Sequence, residues 1–342
     1  MRAVSLSAGG WLALAGGIWL GSCLIALCAG RYPLDLSALA GYVWHLAGGR
    51  SDLTGAQLQT MHALIYESRL PRLLGASMMG AALALAGATY QSAFRNPLVS
   101  PGLLGVLSGA GFGAALAIVL GLPALAIQGT AFAGGLLASA VGVGIAHRLG
   151  GGSPMTLIFG GLISNALFTA LLSILKFVAD PDQQLSDIVF WLLGSLDRLS
   201  MPGLLPLALV LVPGCLLLLA MARLLDLLTL GDDEANALGI PAVRLRYLVI
   251  ATATLIAAMT VAAAGIIGWL GLIVPHVTRL LVGPQHRRMM PVAALLGASF
   301  LVLADTLSRS LSSTEIPVGI MTELAGALSL LAVLHIIRRY LW

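Results

Sequence analysis

The most strongly charged, water-friendly segment in the second half of the chain is one short stretch, Leu230–Leu245, between two long apolar runs. It contains three consecutive acids, then a glycine and a proline: Asp232, Asp233, Glu234, Gly239 and Pro241. Acidic residues stabilise the positive N-terminal end of a helix, and Gly followed by Pro stops one. The pattern therefore predicts a helix of two or three turns, which is too short to span a bilayer. The alternative is an ordinary solvated loop.

Three arginines near the ends of apolar runs are candidates for binding carboxylates of an external partner. Arg69 and Arg72 flank Pro71 at the start of one run, and Arg309 follows Asp305 by four residues at the end of another. A guanidinium binds a carboxylate through two parallel hydrogen bonds, so these residues predict an arginine pocket. The alternative for Arg309 is a local ion pair with Asp305, because residues four apart on a helix are neighbours.

Glu323 is an acid a few residues inside the last apolar run. An ionisable group at membrane depth is costly, so it usually has a partner or a function. Glu323 is therefore a candidate gate or substrate contact. The alternative is a buried acid that is hydrogen-bonded to a neighbouring helix.

The sequence lacks the motifs of catalysis and of nucleotide binding. Its single lysine, Lys176, lies in Ile-Leu-Lys-Phe, so no Gly-x-x-x-x-Gly-Lys-Ser/Thr loop exists. The six histidines are scattered and the three cysteines lie in apolar runs without metal-ligand spacing, so neither a metal site nor a bound cofactor is expected. The sequence contains no basic patch interleaved with aromatic residues, so nothing in it indicates nucleic-acid binding. We expect no enzyme; a pump built on this chain would need a separate motor subunit, docked at 230–245.

The composition identifies the class of protein. The chain is 59% hydrophobic and 9% charged, whereas soluble domains carry about 25% charged residues, so it is a polytopic α-helical membrane protein. Ten apolar runs can be placed, at about 9–30, 70–91, 98–118, 121–147, 155–179, 202–222, 246–267, 269–282, 291–311 and 319–338. The runs at 98–118 and 269–282 are rich in Gly or broken by Pro, which membranes tolerate only where protein or a water-filled cavity surrounds the segment.

Ten spans place both termini on one side of the membrane. That side then carries the larger number of Arg and Lys residues, so the positive-inside rule favours cytoplasmic termini and a cytoplasmic 230–245 stretch. On the other side, 31–68 is a long polar connection. Residues 180–200 predict an amphipathic helix at the interface, with Trp191 at headgroup level.

The run order indicates a weak internal repeat within a single transmembrane domain, 1–342. Each half, about 60–180 and 242–340, begins with an Arg-Leu-bearing span, continues with a broken segment and ends with two more spans. The count places the halves in opposite orientations, as in the inverted repeats of transporters.

Eight motifs carry a family resemblance from about residue 60 to the C-terminus. They are Arg69-Leu-Pro-Arg72, Ala86-Gly-Ala-Thr-Tyr-Gln91, Phe94-Arg-Asn-Pro-Leu98, Pro101-Gly-Leu-Leu-Gly105, Gly231-Asp-Asp-Glu-Ala-Asn-Ala-Leu-Gly239, Gly268-Trp-Leu-Gly-Leu-Ile-Val-Pro-His276, Leu303-Ala-Asp305 and Glu315-Ile-Pro-Val-Gly319. In this order they resemble the FecCD-type permeases, the membrane subunits of bacterial ABC importers for ferric siderophores, haem and cobalamin. The resemblance implies the ten-helix type II importer fold with two inverted four-helix repeats, in the inner membrane.

The resemblance also implies partners and residue roles. The permease would form a homodimer around a central pathway lined by the fifth and tenth spans, with two cytoplasmic ATPase subunits that use ATP and a periplasmic substrate-binding protein. Arg69, Arg72 and Arg309 match arginines that receive glutamates of the binding protein. The segment 230–241 matches the helix that couples to the ATPase, through Gly231, Asp232, Asp233, Glu234, Ala237, Leu238 and Gly239. Asn96 and Leu98 match one cytoplasmic gate, and Ser153 and Thr156 match a second gate loosely.

The cargo is left open by the sequence. Glu323 stands where the family more often has a small apolar residue, and Leu328-Ser-Leu330 lacks an aromatic cluster frequent there. A ferric siderophore or haem is the first expectation, followed by a corrinoid and then a molybdate-type oxyanion, since the pathway spans show little positive charge. The alternative from another class is a secondary transporter that uses intramembrane acids such as Glu323 and Asp305.

Overall fold

The computed structural model describes residues 7–49, 54–312 and 314–341. The all-α prediction is confirmed, because these ranges contain helices and no strand. The α-helices are, in chain order, α1 (Ala8–Cys28), α2 (Leu36–Leu46), α3 (Gly55–His62), α4 (Leu70–Ala93), α5 (Val106–Val119), α6 (Ala124–Arg148), α7 (Pro154–Val178), α8 (Gln184–Leu193), α9 (Met201–Ala220), α10 (Ala222–Leu230), α11 (Asp232–Ala237), α12 (Ala242–Ala264), α13 (Leu270–Val282), α14 (His286–Ser308) and α15 (Val318–Leu341).

Seven helices in the described ranges are long and apolar enough to cross a membrane. They are α1, the continuous helical stretch Gly55–Ala93 that ends in α4, α6, α7, α9, α12 and α14. The two runs expected to be broken are the short helices α5 and α13, of 14 and 13 residues. At 1.5 Å per residue each is about 20 Å long, shorter than the hydrocarbon core of a bilayer.

Local backbone geometry explains the two breaks. Before α5, Pro101–Leu104 forms a single tight 3₁₀ turn, and Gly105 takes a positive φ of 81° that redirects the chain. Before α13, α12 ends at Gly265 with φ 74°, and Trp269 also has a positive φ of 63°. The element order α4 to α7 is therefore the same as α12 to α15: a long helix, a break with a short helix, and two further helices. The assignment of repeat halves at about 60–180 and 242–340 stays a prediction.

Helix α4 lies at the centre of the bundle and is buried along almost its whole length. It packs against α9, α12, α13 and α14. Small residues allow this close packing, because a Cβ at Gly80 would lie 2.3 Å from the carbonyl oxygen of Gly297, and one at Gly87 would lie 1.7 Å from that of Gly271.

The described structure corrects two local expectations. The connection 31–68 is not simply a polar loop, since α2, α3 and a π-helical turn at Ala63–Arg69 occupy much of it. Residues 180–200 do contain a helix, α8, but the side chain of Trp191 is only 6% exposed. It packs against small residues of α5, α6 and α12, among them Ala110, Ala131 and Ala262, instead of facing lipid headgroups.

Candidate functional site

The acidic stretch forms the short helix α11, which lies between the predicted start and stop residues but, at six residues, is shorter than the predicted two or three turns. Gly231, with φ 146°, precedes it, and a Cβ there would lie 2.0 Å from Glu234 Oε2. Gly239 ends it in the left-handed region with φ 79°. The amide of Gly239 donates to Asn236 O at 2.9 Å and that of Ile240 to Ala235 O at 3.0 Å, which satisfies the last carbonyls of the helix.

The side chains of α11 divide into an anchored face and an exposed face. Ala235 is fully buried and Asp232 points inward. Of the other candidate coupling residues Gly231 is buried, whereas Asp233, Glu234, Ala237, Leu238 and Gly239 are exposed. Leu238 retains 62% of its surface. This exposed face combines two carboxylates with an aliphatic side chain, a combination suited to binding another protein.

Two arginines hold Asp232. Arg246 Nη1 donates to Asp232 Oδ2 at 3.0 Å and Nη2 donates to Oδ1, while Arg95 Nη2 donates to Oδ1 at 3.3 Å. The hydrogen bond from Arg246 is the main reason that the pKa of Asp232 lies below its ordinary value. Because the folded-state pKa is lowered, the interaction stabilises the fold at every pH above the ordinary pKa of aspartate. It is lost only as the pH falls through the lowered value.

Arg246 is a further candidate functional residue, which no sequence motif singled out. It is a guanidinium with no exposed surface, one helical turn inside α12. A signal was present, because Arg246 shares the spacing of the buried residues Val249, Ile250 and Ala253, and so lies on the apolar face of the helix. An arginine on a buried face is expected to have several partners.

The first predicted gate segment lies directly after α4. Asn96 is half-buried, and its Oδ1 accepts a hydrogen bond from the amide of Leu98 at 3.0 Å, which closes a tight turn. Leu98 is 68% exposed. The preceding residue, Arg95, has φ 50°, an uncommon conformation for a residue other than glycine. The turn therefore presents an aliphatic side chain at the end of the bundle that carries α11.

The second gate segment is the N-terminus of α7. Ser153 is the N-cap, and its hydroxyl accepts from the amide of Thr156 at 3.2 Å. The hydroxyl of Thr156 donates to Gly151 O at 2.5 Å. Both hydroxyls thus stabilise the start of α7. Their assignment to a gate stays a prediction.

Glu323 lies apart from the other gate candidates. It is exposed on α15, and a Cβ at Gly268, beyond the far end of α12, would lie 3.5 Å from Glu323 Cγ. About 27 Å of α12 separates that end from Arg246. Within the described residues of this one chain Glu323 has neither a hydrogen bond nor an ion pair, and its role as a gate or substrate contact stays a prediction.

The three arginines predicted for docking do come together, around two acids. Arg72 Nη2 donates to Asp305 Oδ1 at 2.7 Å, and its Nη1 donates to Glu315 Oε1. Arg309 Nε lies 3.5 Å from Asp305 Oδ2, so the local ion pair considered as the alternative for Arg309 is present. We call Arg69, Arg72, Asp305, Arg309 and Glu315 the arginine cluster.

The arginine cluster also closes the end of α1. Arg69 donates to the carbonyls of Leu27 and Tyr32, and Arg309 donates to those of Ala26 and Ala29. Cations stabilise the negative C-terminal end of a helix, so these bonds fix α1 to α4 and α14. The arginines are thus largely engaged inside the subunit. Their docking role stays a prediction.

The two sites lie at opposite ends of α4. Arg72 is near the start of α4 and Ala93, the last residue of α4, accepts from Arg246. The 21 steps between Arg72 and Ala93 correspond to about 30 Å, the thickness of the hydrocarbon core of a bilayer. The arginine cluster and α11 are therefore spaced to face opposite sides of a membrane.

Comparison with known proteins identifies the family. The sequence profile of the FecCD transport family matches residues 18–336. The chain belongs to the FecCD transport family. It is an integral membrane protein and the permease subunit of an ABC importer, so the prediction that it is not an enzyme is confirmed.

Curated relatives of this permease carry names that refer to different cargoes. It is 38% identical to the molybdate import system permease protein MolB of Haemophilus influenzae over 304 residues, 89% of each chain. It is 40% identical to the cobalamin import system permease protein BtuC of Halobacterium salinarum over 270 residues, 79% of this chain and 72% of the relative. It is 40% identical to the hemin transport system permease protein HmuU of Yersinia pestis over 265 residues, 75% and 79% of the two chains.

A solved structure supports the same fold. It is described as an inward-facing conformation of a metal-chelate type ABC transporter, and it is 35% identical to the permease. The TM-score is 0.85, with 95% of this chain and 98% of that chain covered. The predicted type II ABC importer permease fold is confirmed.

Proposed function

We propose that the permease moves an iron chelate, a ferric siderophore or haem, from the periplasm to the cytoplasm through the bacterial inner membrane. The observation that carries the proposal is α11, whose inner face is held by Arg246 while Asp233, Glu234 and Leu238 remain exposed. A surface helix that is fixed to the bundle and presents charged and aliphatic side chains is suited to receive force from a motor subunit. The similarity to a hemin permease and to a metal-chelate type transporter supports the cargo class.

A second cargo class is also supported by the comparisons. The molybdate permease MolB is similar to this chain over 89% of both lengths, and the cobalamin permease BtuC has an identity of 40%. A corrinoid or a molybdate-type oxyanion is therefore the alternative cargo. We expect the binding protein to perform much of the selection.

The proposed assembly is a homodimer with two cytoplasmic ATPase subunits and a periplasmic binding protein. Exposed apolar side chains on α7 and α15 support a pathway between two copies. They are Met155, Phe159, Leu162, Ile163, Leu167, Ile174, Phe177 and Val178 on α7 and Leu324, Leu328 and Leu331 on α15. With α11 on the cytoplasmic side, the arginine cluster faces the periplasm, and both termini are cytoplasmic by the order of spans. ATP is used by the ATPase subunits.

Reconstitution tests the proposed function. In proteoliposomes that contain the permease, its ATPase and its binding protein, we expect uptake of the binding protein's ligand to require all three proteins and ATP. Ferric siderophore, haem, cobalamin and molybdate are offered separately. Uptake by the permease alone, driven by a proton gradient, would replace the importer with a secondary transporter.

The arginine cluster yields a docking prediction. The Arg69→Glu/Arg309→Glu double variant is expected to lower affinity for the binding protein by about tenfold or more, because it repels incoming carboxylates. Affinity is measured by surface plasmon resonance on the permease–ATPase complex in nanodiscs, and the ATPase is expected to stay attached.

The matched control separates docking from the packing of α1. Arg69→Gln/Arg309→Gln removes the charges but retains donors for the carbonyls of α1, so it should weaken docking with a smaller loss of thermal stability than the double Glu variant. Arg198→Glu, at an exposed arginine outside the cluster, should bind normally. Unchanged affinity of a folded double Glu variant contradicts the docking role.

A further inference from the structure

Arg246 bonds three separate segments of the chain with one guanidinium. In addition to the two bonds with Asp232, its Nε donates to the carbonyl oxygen of Ala93 at 3.0 Å and its Nη1 donates to that of Gly152 at 2.8 Å. Asp232 is the first residue of α11, Ala93 is the last residue of α4, and Gly152 directly precedes the N-cap of α7. The three partners therefore lie in α11, at the end of α4 and just before the start of α7.

The two carbonyls lie beside the two candidate gate segments. Ala93 is three residues before Asn96. Asn96 belongs to the turn that presents Leu98. Gly152 is one residue before Ser153, whose hydroxyl caps α7. Arg246 thus holds the backbone at the origin of both gate segments, 96–98 and 153–156, and holds α11 at the same time.

The chemistry of the guanidinium makes this a rigid connection. It is planar, its donors have a fixed geometry, and charge-assisted hydrogen bonds are about twice as strong as neutral ones. Because the group is fully buried, a broken bond leaves a charge or a carbonyl without a partner, which is costly. Displacing α11 without also displacing the backbone at Ala93 and Gly152 would break such bonds.

A second bond reinforces the link between α11 and the first gate segment. Arg95, the residue before Asn96, donates to Asp232 Oδ1 at 3.3 Å. Asp232 therefore receives hydrogen bonds from α12 and from the chain directly before the gate turn. If Arg246 served only to bind the carbonyls of Ala93 and Gly152, it would not need Asp232 of α11 as a partner.

We propose that Arg246 transmits displacement of α11 to both gate segments, so that the two segments move together. The proposal rests on the proposed function of α11 as the docking helix for an ATPase. In it, Arg246 is a positioning residue that acts through Asp232, Ala93 and Gly152.

Arg246→Lys tests the proposal, because a lysine keeps the charge but cannot bridge three segments with a planar fork. The complex of permease, ATPase and binding protein is reconstituted in liposomes, and cargo uptake and ATP hydrolysis are measured in the same sample. We expect hydrolysis to continue while the cargo moved per ATP falls about tenfold. Asp232→Asn, which leaves the carbonyl bonds intact and weakens only the link to α11, should lower the same ratio. Arg244→Lys, at an exposed arginine two residues away, is the matched control and should not change it.

Cysteine labelling supplies a readout that a purely structural role would not change. In a background with the three native cysteines replaced by alanine, Leu98→Cys and Met155→Cys report the two gate segments, since both side chains are exposed. Their rates of maleimide labelling should change when ATP is added to the parent complex. In the Arg246→Lys and Asp232→Asn backgrounds, we expect the ATP-dependent change to be lost at both positions.

The outcomes separate this proposal from the proposed function. Uptake and hydrolysis that fall in equal proportion, or gate labelling that still responds to ATP in either variant, overturns the role of Arg246. If Arg246→Lys does not fold, Asp232→Asn decides by the same two criteria. Failure of the parent complex to import with ATP overturns the proposed function itself.

Discussion

Arg72→Leu is expected to destabilise the permease by about 3–5 kcal/mol, because it removes the cation that binds a buried acid through two nitrogens. Asp305 is only 5% exposed in its side chain and accepts from both Nε and Nη2 of Arg72, while Glu315 is bound by Nη1. The remaining cation, Arg309, approaches Asp305 only to 3.5 Å and from one side. The loss should appear as a large fall in the thermal unfolding midpoint of the detergent-solubilised protein.

A double variant distinguishes a broken ion pair from lost packing. Replacing a whole buried ion pair with apolar residues is often close to neutral, whereas removing one partner is not. Arg72→Leu/Asp305→Leu should therefore unfold at a higher temperature than Arg72→Leu alone. Arg198→Leu, which removes an exposed arginine, should unfold like the parent. A single Arg72→Leu variant as stable as the parent would show that the bonds of Arg72 to Asp305 and Glu315 do not hold α4 and α14 together.

The sequence predicted the positions of the long helices because their signal is local. A run of apolar residues of sufficient length has few alternatives to a membrane-embedded helix, and α6, α7 and α9 follow the predicted runs within a few residues. The bounds of α11 were also predictable, since Gly231, the acids and Gly239 each act on the backbone next to them.

The partners of the charged residues could not be predicted in the same way. Arg69, Arg309 and Arg246 donate to backbone carbonyls, which every residue possesses and which leave no mark in the sequence. The carbonyl acceptor of Arg246 at Ala93 is 153 positions away along the chain. The burial of Trp191 could not be predicted either, because it depends on a cleft between α5, α6 and α12 that exists only in the folded bundle.

Gly87→Leu is expected to prevent α13 from packing on α4. A Cβ at Gly87 would lie 1.7 Å from the carbonyl oxygen of Gly271 and 2.7 Å from its Cα, and backbone atoms cannot move aside as a flexible side chain can. Overpacking of a close-packed core typically costs about 1–3 kcal/mol, and a leucine against backbone should reach or exceed the upper end. The displacement would also break the bond from Gln91 Nε2 to Leu272 O and the bond from Arg279 to Gln91 Oε1.

The control for Gly87→Leu is the same substitution at a glycine that also lies inside a long apolar helix but has open space around its Cα. Gly129 on α6 has no atom within 4 Å of a Cβ, so Gly129→Leu should unfold close to the parent temperature, with a gain from the better helix propensity of leucine. Gly87→Ala should give an intermediate loss, since its single methyl already meets the carbonyl of Gly271. If contact with backbone determines stability, the unfolding temperature should be lowest for Gly87→Leu, intermediate for Gly87→Ala and highest for Gly129→Leu. Helix propensity alone would not separate the two leucine variants. A stable Gly87→Leu variant would mean that α4 and α13 are not in direct backbone contact.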